Sequence, residues 1–224
     1  MAFPSNPACK SSLLARFLTC YNKLLTFQGV IAVPEINQHG QTVNDIVPDW
    51  KCARVLTRTQ PESVEATVHW VLGKIMDDDL VPFAVIDLRT EKAVGLVSYM
   101  AIERFQDSVE IGRVTWSHRM KVTRIGTEAV WLVLKNAFDH KYRRLEWKCD
   151  SMNTTSRSAA ERLGFVWEGC LRQKLVRKGR NRDSDMLSII DGEWPQRDAE
   201  LRAWLAAENF DGEGRQIKRL ESFR

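Results

Sequence analysis

The stretch WKCDSMNTTSRSAAERLGF, residues 147–165, decides the fold of this sequence. Apolar and polar residues alternate from position 145 to 150, which is the pattern of a strand with one buried face. Asn153 then stands where an N-cap is preferred, and a short helix is predicted over residues 154–163 with Gly164 as its stop. The stretch therefore predicts a strand, a polar turn and a short helix in direct succession.

The polar groups of this stretch raise a second question. Asn153 accounts for the helix cap, whereas Ser156 lies in the first turn, where its hydroxyl need serve no cap. Asp150, at the strand end, is an exposed carboxylate on the simplest interpretation. From the residues alone, an ordinary helix start and a binding site at this junction both stay open.

The other hydrophobic patterns alternate between strands and helices. A helix is predicted to begin at residues 59–62, TQPE, because the Thr can cap it and the Pro fits its first turn. A helix over residues 126–139 is apolar around most of its circumference and must be largely buried. Strands are predicted over residues 83–88, 93–102, 109–117, 165–168, 173–177 and 186–190, the last two joined across residues 178–181, with a terminal helix from Trp194. This order predicts an α/β sandwich around a mixed sheet.

The chain divides into three predicted parts. Residues 1–58 form an N-terminal extension and arm, residues 59–194 the main domain, and residues 195–224 a C-terminal helix and tail. Residues 1–34 are basic, acid-free and amphipathic, which is typical of a mitochondrial targeting segment; the alternatives are an extra helix packed on the domain and an extension with no settled structure. Since no run of about 18 apolar residues occurs, no transmembrane helix is predicted.

The composition narrows the function classes. A net charge of +4 is too small to indicate nucleic acid by itself, but it suits an anionic cofactor. Five cysteines without a Cys-x-x-Cys pair favour reduced thiols and a cytoplasmic location. The 4 histidines lack i, i+4 pairing, so no zinc site of local spacing is predicted.

The segment KVTRIGTE, residues 121–128, joins a predicted strand to the buried helix. Free backbone N–H groups at the helix start, beside Lys121 and Arg124, would form an anion site suited to a diphosphate. An ordinary helix cap with two solvated cations is the alternative.

Three segments together resemble the GCN5-related N-acetyltransferase (GNAT) superfamily. They are KVTRIGTEA between a strand and a helix, LEWKCDSMNTTSRSAAERLGF, and the hairpin WEGCLRQKLVRKGRNRDSDMLSIIDGEWP. Within the superfamily they are similar to the branch of ribosomal-protein alanine acetyltransferases, over about residues 59–210. The resemblance implies a twisted, mixed and mostly antiparallel sheet flanked by helices, with acetyl-CoA as co-substrate and a primary amine as acceptor.

The resemblance also implies roles for single residues. Acetyl-CoA would lie in a cleft between two splayed parallel strands, residues 109–117 and 145–149. Asn153 would contact the cofactor near its thioester, and Ser156 would protonate the departing thiolate. Pantetheine would pair with backbone near Val114, Thr115 and Trp116, and backbone amides of Val122, Thr123, Arg124, Ile125, Gly126 and Thr127 would hold the pyrophosphate.

Amine acylation needs a base, because only a neutral amine attacks a thioester. Glu110 is the candidate, since a carboxylate in mid-strand is poorly accommodated unless it lines a cleft. The alternative is an exposed edge or an ion pair with Arg113 or Lys148. Glu146 and Asp150 are weaker candidates. A backbone amide at a strand bulge could stabilise the tetrahedral oxyanion.

Two features depart from the family pattern. Arg124 stands where the family has a glycine that lets backbone approach phosphate closely. The first strand and helix, which help to cover the acceptor site, are expected to be missing unless residues 11–33 replace them. An inactive acyl-CoA-binding protein is therefore the alternative to an acetyltransferase.

A nucleic-acid-associated protein is a further alternative, which depends on a basic cluster. The cluster could instead be a solvated hairpin turn, because Gly179 and Asn181 supply turn chemistry and Asp183 and Asp185 dilute the charge, or it could guide an acidic acceptor. Its members are Arg177, Lys178, Arg180 and Arg182.

Overall fold

The computed structural model describes residues 30–32, 80–90, 92–117, 120 and 123–224. Within these residues the protein forms one seven-stranded sheet and three α-helices. The strands are β1 (Val30–Ala32), β2 (Leu80–Asp87), β3 (Lys92–Glu103), β4 (Ser108–Trp116), β5 (Arg144–Asp150), β6 (Val166–Arg177) and β7 (Arg180–Ile190). The helices are α1 (Arg124–Asp139), α2 (Thr154–Arg162) and α3 (Trp194–Leu205).

The sheet is antiparallel except at its centre. Its strand order is β1-β2-β3-β4-β5-β7-β6, and β4 and β5 form the one parallel pair of the described sheet. A parallel pair needs a crossover element, which α1 supplies between β4 and β5. The predicted mixed, mostly antiparallel sheet flanked by helices is therefore confirmed.

The core is built on α1, which confirms that this helix is largely buried. It begins at Arg124, two residues before the predicted start at Gly126. The Trp131 indole N–H donates to the Asp198 carboxylate of α3 at 2.8 Å. The Phe138 ring stacks on that of Trp194, with 4.7 Å between the ring centroids. These contacts dock α3 on α1, and both helices cover one face of the sheet. Buried residues of α1 include Ala129, Val130, Trp131, Leu132, Val133, Leu134, Ala137 and Phe138.

The C-terminal tail fastens α3 and α2 together. The Asn209 side chain donates to the Trp204 carbonyl at 3.0 Å and accepts from the Lys218 backbone N–H at 2.8 Å. The Arg224 guanidinium donates to the carbonyls of Glu161 and Arg162, at 2.8 and 2.6 Å. These carbonyls end α2, where the helix offers no donor of its own. The Glu161 carbonyl also accepts from the Gly164 backbone N–H at 3.1 Å, so the arginine adds a second bond there and supplies the donor for the Arg162 carbonyl.

Two predictions about the sheet are corrected. Val30–Ala32 pairs antiparallel with β2, so a first edge strand is present within residues 11–33, where its absence was expected. The β6–β7 hairpin turns at Lys178 and Gly179, both with positive φ (49° and 70°), and not across four residues. Two residues with positive φ match the twist of the flanking strands, and both strands are therefore longer than predicted.

Several predictions lie outside the described residues. They are the helix expected from residue 59, the missing first helix and the rest of the N-terminal extension. The three-part division of the chain stays a prediction.

The packing of α1 predicts how much the free energy of unfolding falls when one of its buried side chains is shortened. Leu134 is fully buried, whereas its neighbour Lys135 is half-exposed and paired with Asp139 on the same helix. Leu134→Ala should lower the free energy of unfolding by about 2–5 kcal/mol, because it removes buried methyl groups and leaves a cavity. Lys135→Ala should change it by about 0.5 kcal/mol or less. Urea denaturation measures both, and equal effects would contradict this packing.

Glu128 of α1 is a buried carboxyl that the sequence did not indicate. It is 5% exposed, and its Oε1 has no hydrogen-bond partner among the described residues. Burial raises the pKa of this carboxyl, and the positive charge of Arg124 opposes that rise. Since the pKa is higher in the folded than in the unfolded chain, ionised Glu128 lowers stability at neutral pH, and this penalty disappears as the pH falls through the folded-state pKa.

Glu128→Gln should therefore raise the free energy of unfolding at neutral pH. The gain should shrink as the pH is lowered, because Glu128 becomes neutral in the folded protein. Urea denaturation over a pH series measures the difference, with the exposed Glu208→Gln as control. A variant less stable than the parent at neutral pH would show that the Arg124 attraction outweighs desolvation.

Candidate active site

The parallel pairing of β4 with β5 ends halfway along both strands. Glu110–Glu146 is the last of three residue pairs in the register. Both strands continue, β4 through residues 111–116 and β5 through residues 147–150, held by β3 and β7 on their outer sides. The strands therefore separate beyond Glu110, as the resemblance implies.

A β-bulge in β4 lies beside this separation. The register with β3 passes from Gly112 to Thr115 and leaves out Arg113 and Val114. Arg113 has a φ of 54°, in the left-handed region. A bulge leaves its extra residue unpaired, so backbone groups of Arg113 and Val114 lie outside the β3 ladder next to the gap.

Glu110 stands at the point of separation and is 7% exposed. Its Oε2 is 3.1 Å from the Lys148 Nζ. Burial raises the pKa of Glu110, and the charge and hydrogen bond of Lys148 act in the opposite direction. Of the two interpretations left open by the sequence, the ion pair with Lys148 is present, and the carboxylate also borders the gap.

A line of alternating charges runs from Glu110 across β5 to β6. Lys148 Nζ also lies 3.0 Å from Glu146 Oε2, and Arg144 Nε lies 3.1 Å from Glu146 Oε1. Arg144 Nη1 donates to Glu168 Oε1 at 2.7 Å. Burial raises the pKa of Glu146, but Lys148 and Arg144 outweigh that effect and lower it. Glu146 is therefore held ionised by two cations, which makes it a poor base.

The start of α1 lies just beyond β4. Thr123 occupies the N-cap position without a capping side-chain bond, because its hydroxyl donates to the Met120 carbonyl at 2.8 Å. The Thr127 hydroxyl accepts from Arg162 of α2 at 3.0 Å, so this side chain links the start of α1 to the end of α2. A Cβ on Gly126 would lie 3.2 Å from the Met120 carbonyl oxygen, which explains the close approach of this loop.

Arg124, in the place of the family glycine, turns toward the tail. Its guanidinium lies over the Phe210 ring, 5.0 Å from the centroid, and its buried Nε has no hydrogen-bond partner. The side chain therefore does not fill the space in front of the helix start. Val122, a further predicted contact, lies outside the described residues, whereas Ile125 packs against the core.

Asn153 and Ser156 lie at the start of α2, directly after β5. Asn153 Oδ1 accepts from the Ser156 backbone N–H at 3.1 Å, which confirms the predicted cap. The Ser156 hydroxyl oxygen accepts from the Trp147 indole N–H at 3.1 Å. The hydroxyl also hydrogen-bonds the Cys149 thiol: burial raises the pKa of this thiol, and the bond to Ser156 opposes the rise. Asp150 accepts from the Met152 backbone N–H at 2.9 Å, so it stabilises the turn.

The topology brings these groups to one edge of the sheet. Because β4 and β5 are parallel, their carboxyl ends point the same way, and α1 and α2 begin after these ends. The two helix starts therefore flank the gap, and Glu110 lies at its closed end.

Some polar neighbours were missed by the sequence analysis. Arg144 and Glu168 complete the charge line, and Trp147 orients Ser156. The alternation of β5 indicates that Arg144, Glu146 and Lys148 share a face. The partners on β4 and β6 depend on strand order and could not be found from spacing.

Three further features of the described chain concern a membrane helix, a metal site and the basic cluster. None of its helices is long and apolar enough to cross a membrane. No group of three or more potential ligand side chains in the same residues could hold a metal ion. Of the basic cluster, Arg177, Lys178 and Arg180 are exposed at the β6–β7 turn, and Arg182 Nε lies 3.8 Å from Asp150 Oδ2.

Comparisons with known proteins agree with this geometry. Residues 34–166 match the family profile of the acetyltransferase (GNAT) domain. A GCN5-related N-acetyltransferase from Brucella melitensis is 36% identical, with a TM-score of 0.83 over 89% of this chain and 93% of its own. A probable acetyltransferase of the GNAT family from Chromobacterium violaceum is 32% identical, with a TM-score of 0.65 over 76% and 87%.

The microcin C7 self-immunity acetyltransferase MccE, solved in complex with acetyl-CoA and AMP, shares the fold. It is 18% identical, with a TM-score of 0.63 over 73% of this chain and 93% of its own. Curated proteins give no match. Since the profile spans more than half of the chain and the Brucella protein is similar over nearly all of it, the chain belongs to the GNAT family of acetyltransferases.

Proposed function

We propose that this protein transfers the acetyl group of acetyl-CoA directly to a primary amine in a ternary complex. The observation that carries the proposal is the separation of two parallel strands with a buried carboxylate at the closed end of the gap. Such a gap exposes backbone donors and acceptors beside an ionisable group. Both are needed to bind an amide-rich cofactor and to activate an amine.

The cofactor is proposed to lie along β4. Backbone groups of the bulge at Arg113 and Val114, with Thr115 and Trp116 beyond, are placed to bond the amides of pantetheine. The N–H groups of Arg124, Ile125 and Gly126 in the first turn of α1 are suited to the pyrophosphate, because they have no acceptor within the helix and lie at its positive end. The Thr123 N–H instead donates to the Met120 carbonyl at 3.2 Å. Asn153 is proposed to lie near the thioester.

In the proposed reaction, Glu110 accepts a proton from the acceptor ammonium, directly or through a water. The neutral nitrogen then forms a bond to the acetyl carbon, and the negative charge on the carbonyl oxygen is stabilised by a backbone N–H of the β4 bulge. Collapse of this intermediate breaks the carbon–sulfur bond. The Ser156 hydroxyl gives its proton to the departing thiolate, and the nitrogen loses its remaining extra proton through water to restore the hydroxyl. Glu110 releases the first proton to solvent, so the products are the N-acetyl amine, CoA and one proton.

The acceptor is proposed to be a protein N-terminal amine or a small primary amine. The similarity of LEWKCDSMNTTSRSAAERLGF and of the β6–β7 hairpin to ribosomal-protein alanine acetyltransferases favours the protein N-terminus. An inactive acyl-CoA-binding protein is the competing function. Release of free thiol from acetyl-CoA with a panel of amines distinguishes the two.

Glu110→Gln should lower turnover by about 10²–10⁴-fold, because the amide cannot take up the amine proton. Acetyl-CoA affinity should stay nearly unchanged, since the carboxylate is not proposed to touch the cofactor. Thiol release measures turnover and calorimetry measures binding. Glu103→Gln, an exposed carboxyl at the end of β3, is the matched control. Undiminished turnover in Glu110→Gln would exclude this residue as the base.

Ser156→Ala should slow turnover by about 100-fold or less. The thiolate has a pKa of about 8.5 and leaves without great difficulty, so the assistance is modest. The exposed Ser158→Ala on the same helix controls for helix stability. Equal rates for the two variants would remove Ser156 from the mechanism.

A further inference from the structure

Lys148 bridges two carboxylates that the sheet register forces together. Glu110 and Glu146 are paired across the parallel ladder, so like charges stand directly opposite each other. Lys148 lies two residues further along β5 and therefore on the same face as Glu146. Its Nζ reaches Glu110 Oε2 at 3.1 Å and Glu146 Oε2 at 3.0 Å.

The two oxygens of Glu110 have different surroundings. Oε2 bonds Lys148, whereas Oε1 makes no hydrogen bond within the part of the chain that the structure describes. Oε1 lies beside Gly112, where an added Cβ would come within 3.4 Å of it. The same Cβ would overlap the Met100 sulfur, so the glycine lets the uncharged Met100 side chain pack beside this oxygen, while the ammonium holds the other.

The remainder of the charge line gives Glu146 a second cation, so that Glu146 does not depend on Lys148 alone. Arg144 bonds Glu146, and Glu168 anchors Arg144. Burial alone would lower the pKa of Lys148, but the carboxylates of Glu110 and Glu146 outweigh it and raise the pKa. Both carboxylates therefore favour the ammonium form of Lys148.

We propose that Lys148 is a positioning residue that holds Glu110 ionised and leaves its Oε1 free to take the acceptor proton, and so sets the lowest pH at which the enzyme works. This inference rests on the proposed role of Glu110 as base. The charged groups facing Glu110 are Lys148 and Glu146 from β5 and Arg113 from β4 itself, while its β3 partner, Met100, is uncharged.

The charge arrangement predicts shifts of opposite sign for two substitutions. Lys148→Met removes the positive partner, so the acid limb of kcat/KM should move up by about one pH unit or more. Glu146→Gln removes a repelling charge, so the limb should move down. Lys148→Arg keeps the charge and should stay close to the parent. If Lys148 and Glu146 had purely structural roles, the acid limb would not shift in opposite directions in Lys148→Met and Glu146→Gln.

The experiment combines kinetics with a direct titration of the carboxyl group. The ¹³C carboxyl resonance of Glu110 is assigned by its loss in Glu110→Gln and followed with pH in each variant. Thiol release gives the acid limb of kcat/KM. The same acceptor amine is used throughout, so that its own titration affects all variants equally. Lys135→Met, which breaks an exposed ion pair on α1, is the matched control and should leave both readouts unchanged.

The proposal is supported if the titration midpoint of Glu110 and the acid limb of kcat/KM both rise in Lys148→Met and both fall in Glu146→Gln. An unmoved midpoint in Lys148→Met, or shifts of the same sign, overturns it. Circular dichroism shows whether Lys148→Met folds. If it does not, the other two variants decide: a lower Glu110 titration midpoint in Glu146→Gln and an unchanged midpoint in Lys148→Arg support the proposal, and any other result overturns it. If the midpoint moves but Glu110→Gln keeps full turnover, the base assignment of the proposed function fails, and Lys148 then has no catalytic part.

Discussion

The hydrogen-bonded ladder between β4 and β5 ends after three residue pairs, and the geometry of the site depends on that ending. Were the two strands paired along their full length, the sheet would be closed where the helix starts now flank a gap. On the other sides, β7 pairs with β5 along the whole length of β5 and β3 pairs with β4 except at the bulges, so most hydrogen bonds lost to the separation are those between β4 and β5. Unpaired backbone groups of this kind require another partner, which water or a bound cofactor supplies.

The two faces of β5 show how the sheet tolerates charge beside this gap. Leu145, Trp147 and Cys149 are buried under the helices, while the residues between them carry charges on the other face. A half-buried charge is costly unless it is paired. The alternating acids and bases on β4, β5 and β6 meet that condition. In this line of charges, Glu146 bonds Arg144 and Lys148, and Glu168 bonds Arg144 and Ser188, whereas Glu110 has Lys148 alone. The residue with one unengaged oxygen is the one at the gap.

Local patterns predicted the elements well, because each depends on residues close in sequence. Period-two alternation located β5, and Asn153 and Gly164 located the limits of α2 within about one residue. The end of the β4–β5 register could not be predicted, since an alternating strand has the same pattern whether or not its neighbour is paired. The partner of Glu110 was one of two named candidates, because the choice between Arg113 and Lys148 depends on which strand lies beside β4.

The bond from Arg224 to the end of α2 joins residues separated by more than sixty positions in the chain. During synthesis, β5 and α2 emerge from the ribosome long before residue 224 does. Until then the Arg162 carbonyl is left to water, whereas the Glu161 carbonyl has a local donor in the Gly164 backbone N–H. Full hydrogen bonding at the end of the helix that carries Ser156 therefore depends on a segment that also completes the core, through the buried Leu220.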